Sequence, residues 1–188
     1  MKSLFNKLIY NVRFKYRMRK CLSFFDISHI QINGYKNIEI GENVYIAPYA
    51  WISATNGEVV IENSTLIGRF AHIYSTNKIH IKRNVLIAER VYISDNQHTY
   101  SDVDIPIMSQ PVKQCKPVII KDGAWIGENV CIIGATVGRN SVIGANSVVI
   151  HDIPDYCVAV GTPARIIKRY CFTSSEWKKT DSNGEFID

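Results

Sequence analysis

The sequence predicts an all-β solenoid, a parallel β-helix whose coils each have three short flat faces, and three observations predict it. First, a six-residue step recurs through Ile40, Ile46 and Ile52, then Ile61, Ile67 and Ile73, then Ile81, Ile87 and Ile93. It returns in Ile120, Ile126 and Ile132 and again in Val137, Ile143 and Val149. Second, the fifth residue of every hexad is small or β-branched: Val44, Ala50, Thr65, Ala71, Val85, Val91, Ala124, Val130, Ser141 and Ser147. Third, Gly41, Gly68, Gly127, Gly138 and Gly144 directly follow an opening aliphatic, where a tight backbone turn is expected. A period of six fits neither a helix of 3.6 residues per turn nor a simple alternating strand. It fits a coil that sends one aliphatic inward from each face and a small residue inward near each corner. Such coils stack about 4.8 Å apart over a continuous aliphatic column.

Taken in order, residues 1–25 form a basic segment in which Phe5, Leu8, Ile9 and Val12 fall on one helical face. An amphipathic helix is expected there, either capping the open end of the solenoid or touching an anionic membrane surface. Residues 26–170 form the β-helix body. It is interrupted between Ile93 and Ile120, a step of 27 residues, by a loop spanning 94–116. A coil has no need of such an insertion, and long loops on rigid scaffolds are where function concentrates. The corner near Gly134 is shortened, since Val137 follows Ile132 after five residues. The polar stretch 171–188 reads as a loosely docked tail anchored by Trp177 and Phe186.

Composition bounds the class. At 188 residues, 46% hydrophobic and 21% charged, the chain is a globular domain, and no apolar run is long enough to span a membrane. The net charge of +5 is carried by the first 25 residues, which hold seven bases and no acid. That leaves 15 bases against 17 acids in the rest, so the body has no nucleic-acid footprint. Five cysteines without a CxxC pair suggest reduced thiols and no structural zinc. The basic start has neither the apolar stretch nor the cleavage site of a secretory signal, so a cytoplasmic location is expected, with peripheral contact at the inner face of the membrane as an option.

Certain blocks are more specific than the repeat: Trp125-Ile126-Gly127-Glu128-Asn129-Val130, Val142-Ile143-Gly144-Ala145-Asn146-Ser147-Val148-Val149, and Asp152-Ile153-Pro154 followed by Gly161-Thr162-Pro163-Ala164-Arg165. Through them the chain resembles the hexapeptide-repeat acyltransferases, in particular the maltose, galactoside and polysaccharide O-acetyltransferase branch, over residues from about 38 to 169. The resemblance implies a left-handed parallel β-helix, acetyl-CoA as co-substrate, a homotrimer with sites between subunits, and a sugar or polysaccharide acceptor in surface-polysaccharide biosynthesis.

It also implies a site. The insertion opens Ser94-Asp95-Asn96-Gln97-His98-Thr99-Tyr100 and resembles an Asp-His-x-His-x-aromatic stretch of the polysaccharide acetyltransferases, with Asn96 in place of the first histidine. His98 matches the second, five residues past Ile93, the offset of the family's catalytic base. A sugar hydroxyl is a poor nucleophile, and an imidazole with an ordinary pKa near 6.5 can take its proton and return it to the leaving thiolate. Asp95 is a candidate to fix the ring tautomer, and Asn96 and Tyr100 are candidates to touch the acceptor. The family's coenzyme contacts match Trp125, Glu128, Ala145, Ile150, His151, Arg165 and Lys168, although the family prefers Thr and Lys at the positions of Ile150 and His151. No metal set is evident. His72 and His80 read as coil-surface residues, and His29 belongs to no constellation. The competing expectations are a sugar amine or small xenobiotic alcohol as acceptor, or a noncatalytic β-helix scaffold.

Overall fold

The computed structural model describes residues 29–181 and 184–187, so the basic segment 1–25 lies outside the described residues. Three sheets run the length of the prism. Face one has six strands, from Gln31–Asn33 to Val148–Val149, and face two has five, from Ile38–Ile40 to Thr136–Val137. Face three has eight, beginning at Tyr45–Ile46 and ending in an antiparallel C-terminal hairpin. The repeat predicts the register directly. Ile52, Ile73, Ile93, Ile132 and Val149 align across face one, and Ile40, Ile61, Ile81, Ile120 and Val137 align across face two. Ile46, Ile67, Ile87, Ile126 and Ile143 align across face three.

All of these aliphatics except the half-buried Ile40 are sealed from solvent, and so are all ten small fifth-position residues. The polar members of that set are paired: Thr65 Oγ1 donates to Lys82 O at 2.9 Å, Ser141 Oγ donates to Pro154 O at 2.7 Å, and Ser147 Oγ accepts from Gly161 N at 3.0 Å. A serine or threonine is therefore tolerated at a buried corner, because the corner backbone of the next coil supplies its partner.

The turn glycines act differently from expectation. None of Gly41, Gly68, Gly127, Gly138 and Gly144 has a positive φ; the left-handed residue is the fourth of the hexad, as in Asn43, Asn84, Asn140 and Asn146. Glycine is required one residue past the aliphatic because adjacent corners nearly touch. A Cβ on Gly127 would lie 2.7 Å from the Ala145 nitrogen. Within the stretch 171–188, Glu176–Lys179 pairs antiparallel with Ala164–Cys171 at the edge of face three.

One ion network ties successive coils together on face two. Glu62 accepts from His80 Nε2 at 2.7 Å and from Lys82 Nζ at 3.0 Å, with Arg83 at 3.6 Å reaching on to Asp122. Burial, the largest single influence, pushes the Glu62 carboxyl up. The hydrogen bonds and charges of Lys82 and His80 outweigh it and hold the group below its ordinary 4.5. A depressed folded-state pKa contributes stability that is present above the unfolded value and lost as pH falls through the folded one. Thermal melts between about pH 3 and 6 should therefore show a drop at the acid end that Glu62→Gln makes shallower.

Candidate active site

The inserted loop leaves face one after Tyr92–Ser94 and returns to face two at Val118–Ile120. Both of its legs are clamped to the corner of the preceding coil. Asp95 is completely buried, and its carboxylate accepts from Ser75 Oγ at 2.6 Å, Thr76 N at 2.7 Å and Asn77 N at 3.0 Å. On the return leg, Gln114 Nε2 donates to Thr76 O at 2.6 Å, and Asn77 Nδ2 to Cys115 O at 3.2 Å. Cys115 N closes the ring by donating to Asp95 O at 2.7 Å. A buried carboxylate is costly unless its lone pairs are filled, and three charge-assisted donors fill them here.

Above this clamp, Asn96–His98 and Val112–Gln114 pair antiparallel, with His98 opposite Val112. Thr99 extends the hairpin, its N–H and hydroxyl both donating to Pro111 O. Gln110, itself buried, braces the tip through Nε2 donations to the carbonyls of Asp102 at 2.7 Å and Ile105 at 2.8 Å. His98 stands exposed on this braced hairpin, and its imidazole makes no hydrogen bond among the described residues. It is held in place by backbone pairing and is open to an acceptor.

Asp95 and Asn96 are engaged within the clamp. Asp95 sits at the bend between Tyr92–Ser94 and Asn96–His98, its oxygens are taken up at the Ser75, Thr76 and Asn77 corner, and no hydrogen bond joins them to the His98 ring among the described residues. Asn96 is buried too, its amide donating to Asp95 Oδ1 at 3.3 Å. Tyr100 remains available, at 73% exposure.

At the foot of the hairpin lies a groove of about 360 Å³, walled by Gln97, Cys115 and Lys116 of the insert and by Ile133, Gly134, Ile150, His151 and Asp152 of later coils. The shortened corner makes it possible. Gly134 has φ 55°, and a Cβ there would meet the Cys115 side chain at 2.7 Å. Sequence reasoning singled out neither Gln97 nor Lys116 for this groove. The 27-residue step located the insert but carried no signal for which of its residues return to the coil.

The groove thus brings Ile150 and His151 beneath the His98 hairpin. The other proposed coenzyme contacts lie elsewhere on the chain. Trp125 projects from face three at 49% exposure, between Leu86 and Val142. Glu128, at the next corner, is paired with Arg90, and Ala145 is an exposed corner residue. Arg165 and Lys168 are exposed on the strand Ala164–Cys171. Among the described residues no cluster of three His, Cys, Asp or Glu is placed to hold a metal.

Known proteins carry the same pattern. The galactoside O-acetyltransferase of Lactococcus lactis is 32% identical over 156 residues, covering 80% of this chain and 70% of that protein. The chain belongs to the hexapeptide-repeat acyltransferases. WbbJ of Escherichia coli, a family relative named as an O-acetyl transferase of lipopolysaccharide biosynthesis, is 33% identical across 65% of this chain and 66% of its own length. Among solved structures, a single-residue mutant of the N-acyltransferase AntD of Bacillus cereus, in complex with dTDP-4-amino-4,6-dideoxyglucose and coenzyme A, superposes with a TM-score of 0.67. It is 26% identical and is covered over 81% of its chain, with 78% of this one. The chain spans 44%, 66% and 56% of the length of the first three curated relatives it matches. No protein-family profile matches it.

Proposed function

We propose that this chain is an acetyltransferase that moves the acetyl group of acetyl-CoA to a sugar hydroxyl in surface-polysaccharide biosynthesis, with His98 as general base. The observation that carries the reading is the exposed His98 on a clamped hairpin whose adjacent residue, Gln97, lines a groove that also holds Ile150 and His151.

The groove suits a pantetheine arm. Ile133 and Ile150 offer apolar walls, and Lys116 and His151 offer donors. Arg165 and Lys168 supply cations for the phosphates. In the transfer, His98 takes the proton from the acceptor hydroxyl as that oxygen attacks the thioester carbon. The imidazolium then returns the proton to sulfur as the C–S bond breaks. The attack is direct, so no protein nucleophile is consumed. Asp95, Ser75 and Gln114 act as positioning residues: they fix the hairpin and touch neither reactant.

Trp125 and Glu128 lie on or beside face three, whereas Ile150 and His151 follow face one. A coenzyme lying between two subunits can reach both sets, one from each. This favours the C3 trimer that the family resemblance implies, with each site shared. The insert's exposed Val103, Ile105, Ile107 and Met108 provide apolar surface for such a contact. Sedimentation should give a trimer at assay concentrations, and an active monomer would exclude a shared site.

The second reading, transfer to a sugar amine, is favoured by the overlap with AntD and its bound amino sugar. Paired acceptors, each sugar beside its amino analogue, decide between the two. The hydroxyl reading predicts an ester product that mild alkali removes, and an alkali-stable amide as the main product supports the amine.

A further inference from the structure

A second cavity, of about 660 Å³, lies on another edge of the prism. Residues 154–156 form the corner between face two, where Ile153 bridges to Val137, and face three, where Cys157–Gly161 begins. The His98 insert leaves instead from the edge between faces one and two. The C-terminal hairpin supplies Arg169, Tyr170, Cys171, Phe172 and Thr173 to the cavity, and Phe186 completes the wall.

Its lining is aromatic and cationic. Phe172 meets Tyr156 and Tyr170 edge-on, both at 5.1 Å between ring centroids, yet stays 67% exposed, so ring surface remains open to a ligand. Tyr156 occupies a left-handed corner with φ 59°, where the preceding coils place Asn43, Ser64, Asn84, Gly123 and Asn140. An aromatic ring is disfavoured in that conformation, and this column holds no other among the described residues. Lys121 is neutralised by Asp155 at 2.8 Å. The Arg169 guanidinium lines the same cavity and makes no ion pair among the described residues.

We propose that this cavity is a second saccharide site, taking a sugar ring that bears a carboxylate or a phosphate. Arg169 holds the anion in bidentate fashion, and the Phe172 and Tyr156 rings cover the apolar C–H face of the sugar. Asp155 and Thr173 also line the cavity and offer oxygens for the ring hydroxyls. Such a site retains an acidic glycan at a distance from the transfer centre, so that successive units can be presented to His98. The choice of a saccharide rests on the acyltransferase reading above. Binding is therefore measured without acetyl-CoA, and its failure leaves that reading standing.

The test is titration calorimetry of the whole protein with methyl glucuronide, glucose 6-phosphate, methyl glucoside, inorganic phosphate and UMP. Both acidic sugars, or one of them, should bind better than the neutral glucoside and phosphate alone; which one binds identifies the source of the anion. Arg169→Gln and Phe172→Ala should each weaken that binding by about tenfold, while His98→Ala leaves it unchanged. Both substituted side chains are exposed, and an unchanged melting temperature shows that the fold is kept. The proposal is overturned if neither acidic sugar binds, if the neutral glucoside or UMP binds as well as they do, or if both variants retain full affinity.

Discussion

Replacing His98 with alanine should lower turnover by about 10²–10⁴-fold, the usual loss on removing a positioned general base. The melting temperature should hardly move. The side chain is exposed on the hairpin Asn96–His98, outside the buried aliphatic columns, and makes no hydrogen bond among the described residues. Affinity for acetyl-CoA should also change little, because the proposed phosphate contacts, Arg165 and Lys168, lie on another strand. Lys113→Ala is the matched control, being an exposed residue on the facing strand of the same hairpin, opposite Gln97. His72 is unsuitable for that purpose. Its ring stacks on Trp51 at 4.2 Å and meets Tyr92 edge-on, with Nε2 buried and unpaired, so its removal disturbs packing. Steady-state kinetics on the three proteins separates these cases: a turnover loss shared by Lys113→Ala would point to general damage to the hairpin.

Asp95→Asn should have the next largest effect, by a different route. The carboxylate accepts from a hydroxyl and two backbone N–H groups, whereas an asparagine amide offers one oxygen and turns an NH₂ toward donors. Leaving buried donors unmatched costs about 1–3 kcal/mol, and here the cost falls on the clamp that holds both legs of the insert. Turnover should fall by at least about tenfold, because a small displacement of the base from a reactive geometry is expensive. The register of the three faces is carried by aliphatic columns that the clamp does not touch, so the far-ultraviolet signature of the solenoid should persist. Hydrogen exchange should rise in residues 94–116 and not in the coils. Uniform loss of protection would mean that Asp95 supports the whole fold.

The sequence shows these two roles with unequal clarity. The coil was legible because each hexad obeys one steric rule: Ile46 and Ala50, or Ile126 and Val130, are buried at the same places in every turn. The insert was legible as an interruption of that rule. Its internal geometry was not, since a strand of three residues such as Asn96–His98 has no periodicity to read. Adjacency in sequence suggested that Asp95 serves His98, but the bend it occupies between two strands turns its carboxylate back to Ser75, twenty residues earlier. The glycines were read as conformational necessities, and Gly127 proves to be a matter of space between neighbouring corners. The groove depends on Cys115 and Lys116 coming beside Ile150 and His151 across successive coils, a contact far apart in sequence that follows from how the shortened corner at Gly134 packs.

The central claim is that a sugar hydroxyl is acetylated at the His98 hairpin. The most direct test is thiol release from acetyl-CoA by the whole protein, followed with and without sugar acceptors and with the same acceptors for His98→Ala. Release should depend on the acceptor, match the formation of an acetyl ester and fall by about 10²–10⁴-fold in the variant. Acceptor-dependent release at the wild-type rate in His98→Ala would contradict the claim.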